Sequence, residues 1–279
     1  MKQFLSFLRA ALVLVLLVPG RFAAATPAPT RIVSLNGTVS EIICALGHQA
    51  QLVGVDVTST YPEALTKLPK VGHNRNISAE GVLSLNPTLV VGTTESLKPE
   101  VAAQLKAAGL QVHLFKQEYS VTGTKQLIRD VAATFGAMAQ VPAVTAKLDA
   151  DLGKVKKATA APKVLFIYAR GAGTMMVAGQ GTSVEKALQL AGARNAASGF
   201  SDFKPLTAEA LVAANPDVLL LFDSGLDSLG GKAGLLQIPG VAQTAAGRTG
   251  RVVEMDGQLL TGFGPRLGQA TAELASKLK

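Results

Sequence analysis

Two stretches of the chain repeat one another, and they constrain the fold more than any other feature. Residues 78–90 read SAEGVLSLNPTLV and residues 207–219 read TAEALVAANPDVL. In both, a serine or threonine precedes a short helical pattern, a glutamate lies in its first turn, and Asn-Pro ends it before an apolar run. Independent helix starts are common, but the shared Glu-to-Pro spacing and the strand that follows favour a duplicated unit. The repeat therefore predicts two lobes of similar construction.

Around the repeat, the chain alternates between short β-rich runs and helical patterns. This alternation is typical of α/β architecture with parallel strands. Pro99 suits the first turn of a helix and Gly109 suits its end. The predicted strands cover residues 31–35, 52–55, 89–91, 112–115, 164–168, 218–221 and 252–255, and the predicted helices cover residues 38–46, 99–108, 183–190 and 265–278.

A long helical stretch separates the two repeated units. Residues 122–158 are almost wholly helical in pattern, with an interruption around Val141-Pro142, and a new strand pattern begins at Val164. We therefore predict an α/β protein in which two Rossmann-like lobes are joined by a single long helix. The predicted boundaries are residues 26–140 for the N-terminal lobe, 141–160 for the linker helix and 161–279 for the C-terminal lobe.

The first 25 residues have the three-part pattern of a secretory signal peptide. Basic residues precede the apolar run 10–18, and three alanines at 23–25 offer a cleavage site. The run is about half of the ~20 residues that a membrane span needs. No cysteine stands at the end of this leader, which disfavours a lipid-anchored lipoprotein. We predict an exported protein whose signal peptide, residues 1–25, is removed.

Removal of the leader reduces the net charge. The full sequence has 27 Lys+Arg and 19 Asp+Glu, a charge of +8, whereas the mature chain keeps 24 basic and 19 acidic residues, a charge of +5. This mild excess contains no long basic run, so nucleic-acid binding has little support.

Residue counts and motifs exclude several kinds of chemistry. One cysteine and three histidines exclude an internal disulfide and a cysteine-cluster metal site, and they disfavour a cage of several histidines. The sequence has no G-x-S-x-G, P-loop or H-E-x-x-H motif. The glycines at residues 171–181 lack the third glycine of a dinucleotide fingerprint and fit a mobile loop better. We therefore predict that the protein is not an enzyme.

A polar loop between Val71 and the helix that contains Glu80 carries a His-x-Arg pair, His73 and Arg75. Loops held between rigid elements are where proteins commonly bind ligands. An imidazole is a good axial ligand for haem iron, and a guanidinium two residues away suits a propionate carboxylate. By itself the pair does not distinguish a binding site from an ordinary surface loop.

The loop is one of several segments that together resemble a known group. Over essentially all of residues 26–279, the chain is similar to the substrate-binding proteins of bacterial haem ABC importers. These belong to the helical-backbone class (class III) of periplasmic binding proteins, together with binders of vitamin B12 and siderophores. The resemblance is carried by RIVSLNGTVSEIICALG, LVGVDVTSTYPEALTKLPKVG, RNISAEGVLSLNPTLVV, MMVAGQGTSVEKALQLAGARNA, FKPLTAEALVAANPDVLLL and LLTGFGPRLGQA.

The resemblance implies a location, a ligand and a partner. The protein is expected to be a periplasmic monomer that captures haem in the cleft between its lobes and delivers it to an inner-membrane ABC importer. Haem, iron protoporphyrin IX, is then a transported ligand on which no chemistry is performed. Glu80 and Glu209, one from each repeat, are expected to present carboxylates to arginines of the permease dimer.

At one position the sequence departs from this group. Its members commonly have a tyrosine iron ligand in a VGY-x-R motif, whereas this chain has His73 in VGHNR. Histidine keeps a ligand-capable side chain but replaces a phenolate by a neutral imidazole, so we predict that His73 binds the iron. Tyr61 or Tyr168 is an alternative. For a second axial ligand we retain Tyr168, Met175 and Met176.

The other cleft candidates are basic and aromatic side chains. Arg170 and Arg266 are candidates to pair with propionates, although solvent exposure fits them equally well. Phe263 is a candidate wall of the cleft, although core packing fits it at least as well. The predicted propionate and cleft residues are Arg75, Tyr61, Arg170, Phe263 and Arg266.

Two other functions stay open at this level. The nearest is a protein of the same fold that binds cobalamin or a ferric siderophore. An extracytoplasmic enzyme is a more distant alternative, which the missing catalytic motifs disfavour.

Overall fold

The computed structural model describes residues 30–73, 76–156 and 160–279. The predicted signal peptide and Arg75 lie outside the described residues. Within the described ranges, no helix is long and apolar enough to cross a membrane. Helices pack around two separate β-sheets, one built from residues 32–115 and the other from residues 163–255. This arrangement confirms the predicted α/β fold with two lobes.

The sheet of the N-terminal lobe has four parallel strands. They are β1 (Ile32–Ser34), β2 (Leu52–Val55), β3 (Leu89–Thr93) and β4 (Gln111–Phe115). Their order across the sheet is β2-β1-β3-β4. The inner strands β1 and β3 are buried along their whole length, as expected for a parallel sheet covered on both faces. The edge strand β4 is mostly exposed or half-buried.

The helices of this lobe begin where the sequence supplies caps. The side chain of Asn36 accepts hydrogen bonds from the backbone N–H groups of Thr38 and Val39, and Pro99 starts a later helix. The helices are α1 (Gly37–Ala45), α2 (Ala79–Leu83), α3 (Pro99–Ala107) and α4 (Val121–Thr134), with 3₁₀ turns at Gln49–Gln51, Glu63–Lys67 and Met138–Gln140.

A helix shorter than predicted leads toward the second lobe. Helix α5 covers Val141–Leu152, whereas the sequence predicted a helix over residues 141–160. Beyond Leu152 the backbone tightens: the N–H of Lys154 donates to the carbonyl of Asp151, three residues back. Gly153, a poor helix former, stands at this end. The predicted linker was therefore too long at its C-terminal end.

The sheet of the C-terminal lobe is mixed. Its strands are β5 (Lys163–Ala169), β6 (Met175–Ala178), β7 (Arg194–Asn195), β8 (Phe203–Pro205), β9 (Val218–Phe222) and β10 (Val252–Met255), in the order β10-β9-β5-β6-β8, with β7 paired to β5. Strand β6 runs antiparallel to both β5 and β8. The sequence did not predict β6 and β8. Strand β6 is antiparallel because the tight turn after Ala169 leads directly back along β5, and such a hairpin is antiparallel.

Short helices surround this second sheet. They are α6 (Ser183–Leu190), α7 (Ala208–Ala214), α8 (Asp223–Ser228), α9 (Gly231–Leu236), α10 (Ala245–Thr249), α11 (Gly257–Thr261) and α12 (Leu267–Lys277), with a 3₁₀ turn at Val241–Gln243.

The repeated units have matching local structure. The hydroxyl groups of Ser78 and Thr207 accept from the backbone N–H three residues on, and so cap α2 and α7. After each helix an asparagine adopts a left-handed backbone, with φ 47° at Asn86 and 37° at Asn215. Asparagine tolerates this conformation better than most side chains. The internal repeat is therefore present in three dimensions as well as in sequence.

The end of the chain returns to the first lobe. Helix α12 packs along α5, and the segment before it hydrogen-bonds to residues of the N-terminal lobe. The hydroxyl of Thr124 donates to the carbonyl of Phe263 at 3.0 Å, and the side-chain amide of Gln117 donates to the carbonyl of Gly262 at 2.7 Å. One hydrophobic core consequently runs through both lobes, from Ile32 to Leu278.

Candidate ligand-binding site between the lobes

A cleft opens between the two sheets. Two adjoining cavities, of about 880 and 740 Å³, share the lining residues Val57, His73, Tyr168 and Arg170. The first pair belongs to the N-terminal lobe and the second pair to the C-terminal lobe. Volumes of this size suit a small-molecule ligand. The structure thus brings three predicted site residues, His73, Tyr168 and Arg170, to one cleft.

His73 lies on the loop that follows β2. The backbone N–H of Val57 donates to the carbonyl of Gly72 at 3.0 Å, and the N–H of Asn76 donates to the carbonyl of His73 at 2.7 Å. Gly72 has φ 106°, a conformation that favours glycine. These contacts fix the loop on either side of His73 and hold its half-buried side chain at the cavity wall.

Tyr168 and Arg170 come from the end of β5, and the opposite strand β6 adds Met176. Tyr168 pairs with Met176 across the hairpin, and both line the larger cavity. Met175 pairs with Ala169 and packs against the buried cluster of the C-terminal lobe. Successive side chains of a strand point to opposite faces. The structure therefore places Met176 in the cleft and Met175 on the other face, which argues against Met175 as an axial ligand.

The phenol ring of Tyr168 is held by its neighbours. Its ring lies edge-to-face with Phe222, with centroids 6.1 Å apart and an interplanar angle of 85°. The guanidinium carbon of Arg170 lies 5.8 Å from the centroid of the Tyr168 ring. An oxygen donor and a positive charge thus stand side by side on the wall opposite His73.

Exposed apolar side chains lie at and near the cleft. Val57 is 43% exposed and Phe203 is 39% exposed, and both line the larger cavity. Tyr61 is 44% exposed and follows Thr60, which lines the smaller cavity. Exposed apolar side chains gathered around a concavity mark a surface that binds an apolar partner or ligand.

Arg266 is engaged at the junction of the lobes. Its guanidinium forms an ion pair with Glu41 at 2.9 Å and stacks on the ring of Tyr61, 3.6 Å from the centroid. The side chains of Arg266 and Glu41 are only 15% and 7% exposed. Burial raises the pKa of the Glu41 carboxyl, and hydrogen bonds from Arg266 oppose that rise. The guanidinium predicted to meet a propionate is thus already paired.

Phe263 is likewise a structural residue. It is 2% exposed, belongs to the shared hydrophobic core, and packs edge-to-face on Tyr119 with centroids 5.4 Å apart. Neither Phe263 nor Arg266 is among the described residues that line the two cavities. Both side chains therefore contribute to the packing of the lobes around the cleft.

Gln258 connects the floor of the cleft to both lobes. Its side-chain oxygen accepts from the backbone N–H and the hydroxyl of Thr60, each at 2.8 Å, and from the N–H of Tyr61 at 3.0 Å. Its amide nitrogen donates to the carbonyl of Gly37 at 2.9 Å and to Glu41 at 3.2 Å. Sequence reasoning missed this residue, because a single glutamine between Gly257 and Leu259 has no motif that signals such contacts.

Three further residues, Glu80, Glu209 and Cys44, do not line the two cavities. Glu80 and Glu209 are exposed in the first turns of α2 and α7. Cys44 is half-buried, and burial, followed by the nearby Glu41 carboxylate, raises the pKa of its thiol to about 12. In the part of the chain that the structure describes, no three His, Cys, Asp or Glu side chains are grouped to hold a metal ion.

Comparison with known proteins decides the family. The model of the family described as "Periplasmic binding protein" matches residues 32–259. The chain belongs to this family. The relatives that the chain matches are periplasmic binding proteins rather than enzymes, which gives coarse support to a binding role.

Solved structures extend the comparison. The periplasmic haem-binding protein RhuT from Roseiflexus sp. RS-1, in its apo form, is 44% identical with a TM-score of 0.86, over 90% of this chain and 98% of that one. The periplasmic haem-binding protein BhuT, in complex with two haems, is 40% identical with a TM-score of 0.83, over 89% and 97% of the chains. The haem-binding protein HmuT is 32% identical with a TM-score of 0.81, over 90% and 85%.

The curated relatives include a transporter component and a cobalamin-binding protein. An uncharacterised ABC transporter substrate-binding lipoprotein, YvrC of Bacillus subtilis, is 30% identical over 90% of this chain and 80% of its own length. A cobalamin-binding protein of Halobacterium salinarum is 26% identical over 89% of this chain and 69% of its own length.

Proposed function

We propose that the protein is a periplasmic carrier that captures haem between its lobes and delivers it to an inner-membrane ABC importer. The observation that carries the proposal is the meeting of His73 and Tyr168 across one cleft of about 880 Å³. The solved structures of RhuT and BhuT, which are haem-binding proteins, support the choice of cargo.

The two facing donors suit the chemistry of haem iron. The porphyrin supplies four nitrogen ligands, so the protein needs to add only one or two, and both histidine and tyrosine serve as axial ligands. His73 comes from the N-terminal lobe and Tyr168 from the C-terminal lobe, so iron bonds to both would join the lobes. We propose His73 as one ligand and Tyr168 as the other.

A related set of residues has been substituted in HmuT. Its solved structures include variants that replace a histidine, a tyrosine, and an arginine two positions after that tyrosine. In this chain Arg170 likewise follows Tyr168 by two positions. The guanidinium of Arg170, whose carbon lies 5.8 Å from the centroid of the Tyr168 ring, would place positive charge beside a tyrosine ligand. This likeness supports the choice of Tyr168 over Met176 as the second ligand.

The rest of the cleft fits the other parts of the haem molecule. Val57, Met176 and Phe203 offer apolar surface to the macrocycle. Arg170 is the described basic residue best placed for a propionate, because Arg266 is paired with Glu41. Arg75 stays a candidate for the same role but lies outside the described residues. Affinity would thus combine apolar burial, iron coordination and charge pairing.

The proposal includes the later steps of transport. The cleaved leader at residues 1–25 would export the chain to the periplasm, where it would act as a monomer. Glu80 and Glu209 would then present one carboxylate from each lobe to the permease dimer. Both glutamates are exposed, and both occupy equivalent positions in the repeat.

Spectral titration of the mature protein with hemin tests the proposed cargo, and cyanocobalamin provides the comparison. We expect a stoichiometric shift of the Soret band with hemin and no binding of cyanocobalamin at similar concentrations. His73→Ala and Tyr168→Phe should each change the Soret spectrum and weaken binding by about tenfold or more, or ~1.4 kcal/mol. His113→Ala, on an exposed position of the edge strand β4, is the matched control and should behave as the wild type. Binding of cyanocobalamin without a hemin response would overturn the proposal.

A further inference from the structure

Most large apolar side chains that are exposed in the described residues are explained by the cleft. Val57, Tyr61 and Phe203 surround its mouth, and Tyr119 lines a small adjoining cavity with Phe203. Three others lie elsewhere, namely Leu83 at 36% exposure, Val212 at 37% and Met138 at 48%. Two of these three occupy equivalent positions in the internal repeat, and the ligand does not explain them.

Leu83 and Val212 have the same surroundings in the two lobes. Leu83 is the last residue of α2 and follows Glu80 by three positions, and Val212 follows Glu209 by three positions in α7. Residues three apart on a helix lie on the same face. The preceding residue in each case is fully buried, at 0% exposure for both Val82 and Leu211. In each lobe, therefore, a carboxylate and an aliphatic side chain lie side by side on the exposed surface.

In the described part of the chain, the acidic member of each pair has no ionic partner, since Glu80 and Glu209 take part in none of its ion pairs. The aliphatic members, Leu83 and Val212, keep 36% and 37% of their surfaces exposed. An aliphatic side chain that is repeated at the same place in both lobes, beside an unpaired acid, indicates a surface with a partner.

We propose that Glu80 with Leu83, and Glu209 with Val212, form two equivalent docking elements for the two subunits of the importer's permease dimer. The proposal rests on the proposed transport function and adds an apolar anchor to the expected acidic contact. The matching partner surface has a basic side chain next to an apolar pocket, present twice. Two copies of one element fit a partner with two equivalent subunits, and the carboxylates fit its arginines or lysines.

The apolar anchor should account for much of the affinity. Exposed ion pairs contribute little and are screened by salt, whereas burial of aliphatic surface is insensitive to salt. The acid then selects and orients the partner, and the aliphatic side chain holds it. The two elements lie in different lobes, so the effects of their substitution should be additive.

Binding of the haem-loaded mature protein to the cognate haem importer, reconstituted in lipid nanodiscs, tests the proposal. Leu83→Ala and Val212→Ala should each weaken binding about tenfold, the double variant about a hundredfold, and raised salt should not reduce these ratios. Glu80→Gln with Glu209→Gln should also weaken binding, but the loss should shrink as salt rises. Met138→Ala, the third exposed apolar residue, is the control and should bind as the wild type.

Several results would overturn this assignment while leaving haem capture intact. Wild-type affinity in the Leu83→Ala and Val212→Ala variants would remove the apolar anchor, and so would an equal loss in Met138→Ala. Sedimentation that showed self-association lost in the same variants would instead assign the surface to a second copy of this chain. All variants should bind hemin as the wild type does in the spectral titration. A failure of the proposed function would be seen separately, because the wild type itself would then not bind hemin.

Discussion

Replacing Arg266 by methionine should strongly destabilise the protein, because the substitution leaves the buried carboxylate of Glu41 without its partner. The two side chains are 15% and 7% exposed, and their charged atoms lie 2.9 Å apart. Removing one member of a buried pair typically costs about 3–5 kcal/mol. The ring of Tyr61 also loses a stacked guanidinium 3.6 Å away, which contributes about 0.5–2 kcal/mol.

Thermal unfolding of the ligand-free protein, followed by circular dichroism, measures this effect. For a chain of this size 1 kcal/mol corresponds to about 2–4 °C, so the loss of the pair alone should lower Tm by about 6–20 °C. The double variant Arg266→Met with Glu41→Leu should recover most of that loss, since an apolar replacement of a buried pair is often neutral or stabilising. A single-variant shift below about 2 °C, or a double variant no more stable than the single one, would refute the reasoning.

Three further predictions concern the same junction and a turn of the C-terminal lobe. Burial raises the pKa of the Glu41 carboxyl above its ordinary value of 4.5, so the folded state binds this proton more tightly than the unfolded state does. The stability of the wild type relative to Glu41→Gln should therefore fall as the pH rises above about 4.5. Gln258→Leu should keep the fold but weaken hemin binding several-fold, because the amide that joins Thr60 to Glu41 at the cleft floor is lost. Gly240→Ala should lower Tm by several degrees, since the new Cβ would lie 2.9 Å from the carbonyl oxygen of Ala208 at a φ of 88°.

Each of these has a clear contrary result. A stability difference between wild type and Glu41→Gln that grows with pH would show that the folded pKa is depressed. If Gln258→Leu bound hemin with wild-type affinity in a titration, the hydrogen bonds of Gln258 at the cleft floor would not contribute to ligand binding. Gly250→Ala is the control for Gly240→Ala, because it shares a positive φ of 64° but has no atom within 4 Å of the new Cβ. Equal Tm losses in the two would assign the effect to backbone conformation alone.

The sequence was most informative where structure is decided locally. Three elements have the predicted bounds, namely the strands Leu52–Val55 and Val252–Met255 and the helix Ser183–Leu190. Apolar runs, turn residues and capping side chains lie within a few positions of these elements, so their patterns are visible in the chain. The internal repeat was also predictable, because its caps and its Asn-Pro ends recur at a fixed spacing.

Features that depend on distant contacts were not predictable in this way. Glu41 and Arg266 are 225 positions apart, and Thr60 and Gln258 are 198 apart. Nothing in the local patterns indicates that the segment after β10 returns to the N-terminal lobe. The side of the sheet on which Met175 lies could not be predicted either, because it depends on the register of the β5–β6 hairpin. The cleft residues His73, Tyr168 and Arg170 were predictable from the resemblance and from side-chain chemistry, but their meeting required the fold.

The central claim is that haem iron is held between the lobes by His73 and Tyr168. An anomalous difference map at the iron edge, from crystals of the hemin-loaded protein, tests it most directly. We expect one iron peak at bonding distance from both the imidazole of His73 and the phenol oxygen of Tyr168, within the cleft that they line. An iron peak bonded to Tyr61 or to Met176 instead, or one located outside this cleft, would contradict it.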